Sequence, residues 1–202
     1  MPSGTINSVA SIAGLSIQST TSRTASGQIS HEVALPAADA GELTTRTDDT
    51  DGELTMGSGS HGISTGDVID IYWDGGVAYG ATVGTVSGTS VPFTGASGDA
   101  LPAVSTDVNA DVQVELDTDF DGDKMEMIVM AGSSRGHFDF QDSGSASLEA
   151  GELQANEPWQ WVSDTGTSNP LAGNPVDTLK LSNGDASVAA TVKLALIYNS
   201  SQ

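Results

Sequence analysis

From Ala186 to Tyr198 the apolar residues Ala186, Val188, Ala190, Val192, Leu194, Leu196 and Tyr198 all fall on even positions. A period of two puts alternate side chains on one face of an extended chain and cannot make the stripe of a helix. The same alternation groups Ile29, His31, Val33 and Leu35, then Ile69, Ile71 and Trp73, then Val77, Tyr79, Ala81 and Val83, then Val112, Val114 and Leu116. No window carries a sustained 3.6-residue stripe, and Gly- and Asp-rich turns separate the runs. The expectation is an all-β chain, an antiparallel β-sandwich or a jelly-roll-like barrel.

Turn residues suggest registers, because residues directly opposite in a hairpin share a face. At LSNGDASV, a two-residue Asn183-Gly184 loop sets Leu181 opposite Ala186 and Leu179 opposite Val188, and Asn-Gly suits a type I′ turn. At IYWDGGVAY, a three-residue loop from Asp74 to Gly76 with a glycine bulge sets Trp73 opposite Val77, Ile71 opposite Tyr79 and Ile69 opposite Ala81. Setting VQVEL against MEMIVM pairs Leu116 with Met125, Val114 with Met127 and Val112 with Val129. That leaves DTDFDGDK, Asp117 to Lys124, as a loop long for a hairpin.

This loop carries Asp117, Asp119, Asp121 and Asp123, with Gly122 after the third. Like charges this close cost energy unless a cation neutralises them. Carboxylates at the first, third and fifth positions with Gly sixth resemble a DxDxDG calcium loop, with Glu115 or Glu126 as further donors. The twelfth position, which in an EF-hand carries a bidentate Glu, is Ile128. Two readings stay open: a calcium ion pinning the turn, or a solvated acidic turn. No other cofactor is expected. A second acidic turn, TRTDDTDGEL, is spaced less regularly and reads as an exposed loop closed at Asp51-Gly52.

Catalytic signals do not survive inspection. GSSRG, Gly132 to Gly136, fits the G-x-S-x-G elbow around Ser134, but the elbow must open a helix and HFDFQ reads as a strand. His31, His61 and His137 are far apart and lack metal-ligand spacing. His31, on an apolar strand face, reads as a core or interface histidine. No enzyme activity is expected. Trp159 and Trp161 share a strand face, which suits core or subunit interface better than a sugar platform.

With 27 acidic against 6 basic residues, the formal net charge is −21. Such a surface repels phosphate and anionic lipid, so neither nucleic acid nor membrane is an expected partner. A high-salt habitat favours the same bias. The chain has no Cys, and its N-terminus has no basic residue before Arg23 and no unbroken apolar core, so it does not read as a signal peptide. Residues 1–27 read as an extended N-terminal arm whose Ile6, Val9, Ile12, Leu15 and Ile17 gain most by lying on another surface. Residues 28–202 read as a single β-sandwich domain crossed by long Gly/Ser loops.

The arm Met1 to Gly27, strands such as SVAATVKLALIY, the Gly/Ser loops and the acidic, Cys-free composition resemble virion structural proteins of tailed bacteriophages, capsid decoration (cement) proteins above all. The resemblance implies a non-enzymatic homo-oligomer, often a trimer, made in the host cytoplasm and sited in the virion on the outer capsid surface or a tail part. The alternative from another class is a calcium-stabilised carbohydrate-binding or adhesin module using the acidic loop and Trp159/Trp161.

Overall fold

A computed structural model describes residues 9–12, 15–18, 27–163, 168–173 and 175–198, with side chains from Ser30 onward except Asp119. The described residues form β-strands and one short 3-10 turn, Gly122–Lys124. All paired strands run antiparallel. The chain is therefore all-β, as its alternation requires. Among the described residues no helix is long and apolar enough to cross a membrane.

In chain order the strands are β1 (Val9–Ile12), β2 (Leu15–Gln18), β3 (Gly27–Leu35), β4 (Asp39–Arg46), β5 (Gly52–Met56), β6 (Val68–Trp73), β7 (Gly76–Val83), β8 (Ser90–Thr94) and β9 (Ser97–Gly98). They continue as β10 (Thr106–Val112), β11 (Val114–Asp121), β12 (Met125–Gly132), β13 (Gly136–Gln141), β14 (Ser147–Leu153), β15 (Pro158–Val162), β16 (Pro175–Asn183) and β17 (Ala190–Tyr198).

Two bodies result. Strands β6, β10, β4, β5, β8 and β7 pair in that order, and β6 pairs back to β7, so six strands close into a barrel with β9 added outside β7. Its interior holds Leu43, Leu54, Ile69, Ile71, Val91, Phe93 and Val108. The second body stacks the sheet β11-β16-β13-β14 on the sheet β15-β12-β17-β3. Between them lie Ile128, Met130, Phe138, Phe140, Leu179, Leu181, Val192, Leu194 and Leu196. The even-numbered face of β17 points inward, as the alternation predicts. The barrel sequence is an insertion, since β3 belongs to the sandwich that resumes at β11. Ahead of it, β1 and β2 double back on each other with Ile12 opposite Leu15.

Three expected registers are corrected. Asn183-Gly184 does not close a hairpin: β16 pairs with β13 and β11, setting Leu181 opposite Phe138 and Val114, while β17 lies in the other sheet. Leu116 does not face Met125: it pairs with Leu179, β11 runs on to Asp121, and the Gly122–Lys124 turn crosses from one sheet to the other. The β6–β7 turn has two residues, with Trp73 opposite Gly76, and its irregularity sits further along, between Ile69 and Ile71. Gly75 takes φ +89°, and a Cβ on Gly76 would fall 2.4 Å from the Trp73 ring. Ile69 still meets Ala81 as expected, because the displaced bulge restores the register.

Candidate functional site

A dense set of side-chain bonds joins the barrel to the outer face of the β13–β16 sheet. On β6, Asp70 and Tyr72 alternate with the core residues Ile69 and Ile71, so they point out of the barrel. Both are nevertheless buried. The Asp70 carboxylate accepts from Gly80 N at 2.8 Å and Gln113 Nε2 at 2.8 Å. It also accepts from the Ser182 hydroxyl and meets His137 Nδ1 at 3.2 Å. A buried carboxylate persists only when its acceptor sites are filled in this way. Ser182 bonds the Tyr72 hydroxyl at 2.7 Å, and Tyr79 stacks on His137 with ring centroids 4.4 Å apart. Burial, reinforced by the Asp70 charge, pushes the Tyr72 phenol well above its usual range.

Arg135 closes one side. It donates to the carbonyls of Trp73 at 2.9 Å and Gly76 at 3.0 Å, pairs with Glu152 at 3.2 Å and lies 5.5 Å from the Tyr72 ring centre. Asn183 closes the other. Its backbone N–H donates to Asp111 Oδ2 at 2.7 Å, and its amide reaches the Pro36 and Val188 carbonyls at 2.7 and 2.8 Å. Asn109 holds the Gly184 carbonyl at 2.9 Å. Gly184 must be glycine here, since a Cβ would sit 2.8 Å from the Tyr72 ring. Asp111 lies directly opposite Asp70 across the β6–β10 ladder. Desolvation, with the Asp70 charge adding to it, raises its carboxyl to about 6 against the Asn183 hydrogen bond that lowers it.

This cluster is a clasp that sets two folded bodies in one orientation. It contains a Ser, a His and an Asp, yet the carboxylate stands between the other two and all three are buried. Ser134 of GSSRG, the chain neighbour of Arg135, is buried and is followed by β13 where an elbow needs a helix. Sequence alone marks none of Asp70, Tyr72 or Ser182, and it marks Asn183 only as a turn residue. The available signal was Asp70 itself, one carboxylate in an otherwise apolar strand.

The acidic segment is distributed along the fold. Asp117 lies in β11 opposite Thr178 and is exposed. Asp121 accepts from Asp123 N at 3.1 Å and pairs with Lys124 at 3.2 Å. Asp123 accepts from Gly173 N at 2.8 Å. The side chain of Asp119 lies outside the described residues, and among those described no group of three or more His, Asp or Glu is placed to hold a metal. Glu115 pairs with Lys180 at 3.1 Å, and Glu126 accepts from the Ser163 hydroxyl at 2.9 Å. Gly122 packs so closely on the Leu171 carbonyl that a Cβ there would come within 2.0 Å of it.

Trp161 is in the sandwich core and Trp159 packs against it, 4.8 Å from the Phe138 ring centre. Their indoles are used inside the fold. His31 is exposed, contrary to a core placement. It lines a groove of about 370 Å³ with Leu116, Asp117, Phe120, Leu179 and Leu194. The groove runs along the side where β3 and β11, the edge strands of the two sheets, leave the sandwich open. Of the interface residues expected in the arm, Val9 and Ile12 lie in β1 and Leu15 and Ile17 in β2, while Ile6 is outside the described residues.

No family model matches the chain, and no curated protein matches it.

Proposed function

We propose that the protein is a non-enzymatic structural subunit of a virion, a capsid decoration (cement) protein or another head or tail surface part of a tailed bacteriophage. It works as a homo-oligomer, a trimer being the expected form, joined through its N-terminal arm and open sheet edges. The observation that carries this is the open side of the sandwich. Two strands that are edges among the described residues, β3 and β11, flank an apolar groove floored by Leu179, Leu194 and Leu196. Unpaired edges are templates for another chain, and side chains of an added strand would fill such a groove. The charge of −21 supports a position away from packaged nucleic acid.

Deletion of residues 1–20 tests the proposal by light scattering. The full-length chain is expected to be oligomeric or to attach to a capsid, and the truncated chain to fold without doing either. A full-length protein that stays monomeric at high concentration and binds no particle defeats it.

A further inference from the structure

An antiparallel sheet with one face on a core normally turns polar side chains to its other face. The β15-β12-β17 ladder does not. Met127, Val129 and Ala131 of β12 and Ala195 and Ile197 of β17 form an apolar cluster on the side away from the core, with Val162 of β15 against it. The register shift between Met125 and Met127 produces this arrangement, sending Met125 inward and the odd-numbered residues after it outward. These side chains are covered: Val129 is 1% exposed and Ile197 9% in the lone chain. The barrel is not the cover, because it sits on the opposite sheet. Among the described side chains, every member of the cluster belongs to this one sheet.

The N-terminal arm has what the face lacks. The β1–β2 register sets Ile12 opposite Leu15 and Ala10 opposite Ile17. Opposite residues share a face, so the hairpin has one apolar side. A lone two-stranded hairpin is marginal in water and needs a surface. The arm enters β3 at Gly27, which pairs with Tyr198 at the end of β17, so it starts at the margin of the same sheet. The eight residues between Gln18 and Gly27 span up to about 26 Å when extended. Crossing the sheet from β3 to β15 takes only about 15 Å at the usual strand spacing.

We infer that the outer face of β15, β12 and β17 is the seat of the Val9–Gln18 hairpin of the same chain, which makes the sandwich a three-layer body. Its functional meaning rests on the assembly proposed above: exchange of the hairpin between neighbours would tie copies together through the same surface.

The chain has no cysteine, so introduced thiols are unique. Ser16→Cys marks the hairpin, and Gln160→Cys marks the exposed position opposite Val129 on the sheet. The reagent is a bis-maleimide of about 15 Å, longer than the ~10 Å between stacked sheets. In dilute full-length double variant, the expected result is loss of both free thiols at the mass of one chain plus one reagent molecule; one chain plus two reagent molecules marks two single-ended adducts and counts as no cross-link. No cross-link, although both thiols react with a monofunctional maleimide, removes the hairpin from this face. Cross-linking only between chains, seen when the two single variants are mixed, gives the seat to a neighbour's hairpin and overturns the same-chain assignment. Native mass, measured on the same samples, reports separately on assembly: a strict monomer with the internal cross-link would retire the oligomer and keep the seat.

Discussion

The barrel and the sandwich solve the same problem differently. In the barrel, β6 pairs back to β7 and the ladder has no open seam. Its Asp-rich turns close on themselves: Asp48 accepts from the backbones of Thr50 and Asp51, both at 2.8 Å, and these bonds hold its carboxyl below the usual range. Among the described strands the sandwich stays open, with edges at β3, β11, β14 and β15. Closure leaves a body little to offer a partner, whereas openness leaves surfaces that must be covered. On the assembly proposed above, the sandwich is the part that attaches. The barrel is the part it presents, held at a set angle by the clasp around Asp70.

That division is most directly broken at Asp70. Asp70→Ala leaves Gly80 N–H, Gln113, His137 and Ser182 without their shared acceptor. Each buried donor left unmade costs about 1–3 kcal/mol, so a loss of about 4 kcal/mol is expected after relaxation. Denaturant unfolding should then resolve two transitions, one for each body, where a single one is expected of the wild type. A loss below about 1 kcal/mol with a single transition would mean that the clasp does not couple the two bodies.

Asp111 comes next. Its carboxyl is raised to about 6 in the folded state, so the native protein holds this proton more tightly than the unfolded chain does. Stability from this group is fully present below about pH 4 and falls as pH rises to about 6, staying low above. Asp111→Asn keeps an oxygen acceptor for Asn183 N–H and removes the charge. Compared with wild type, it should flatten the pH 4–6 slope and gain up to about 2 kcal/mol at pH 7. Parallel pH profiles for the two proteins would contradict this assignment.

The two bodies also differ in how far their sequence could be read. Inside the barrel, chain neighbours pair, as in β4–β5, β6–β7 and β7–β8, so matching apolar faces across a turn found Ile69 opposite Ala81. In the sandwich the connections β11–β12, β12–β13, β15–β16 and β16–β17 cross between sheets. The same matching paired Leu181 with Ala186 and Leu116 with Met125, and both pairings are wrong. Face parity survives a sheet crossing, because β17 alternates whichever strand lies beside it. Pairing does not survive it, because it depends on what lies next to the strand in space. The clasp was illegible for a related reason. His137 alternates with Phe138 and Phe140, as a solvent-facing residue would, and it is Asp70 and Tyr79 of the inserted barrel that lie against it.

Tyr72→Phe is a smaller test of the junction. It removes the hydroxyl that bonds Ser182 at 2.7 Å but keeps the ring beside Gly184 and Arg135. Ser182 retains Asp70 as a partner, so no donor is orphaned. The expected cost is about 1 kcal/mol, with unfolding still in one transition. A loss as large as that of Asp70→Ala would mean that the hydroxyl, and not the carboxylate, organises the clasp.

The smallest effect is expected where the two bodies look most alike, in their acidic turns. The barrel's turn meets its own charges with backbone N–H groups and the Arg46–Asp49 pair. The sandwich's turn follows the same plan, with Asp121 on Asp123 N and Lys124, and Asp123 on Gly173 N. A calcium ion at Asp117, Asp119, Asp121 and Asp123 would have to compete with the Lys124 ammonium for Asp121. It would also have to draw Asp117 out of its position along β11. An ion bound only by the folded state raises the melting temperature by mass action, so a chelator reports on it directly. The expected result is no shift beyond measurement scatter on adding EGTA, in wild type and in Asp121→Asn alike. A fall of several degrees in wild type, absent from Asp121→Asn, would establish the ion and separate the two turns: one closed by its own backbone, the other by a metal.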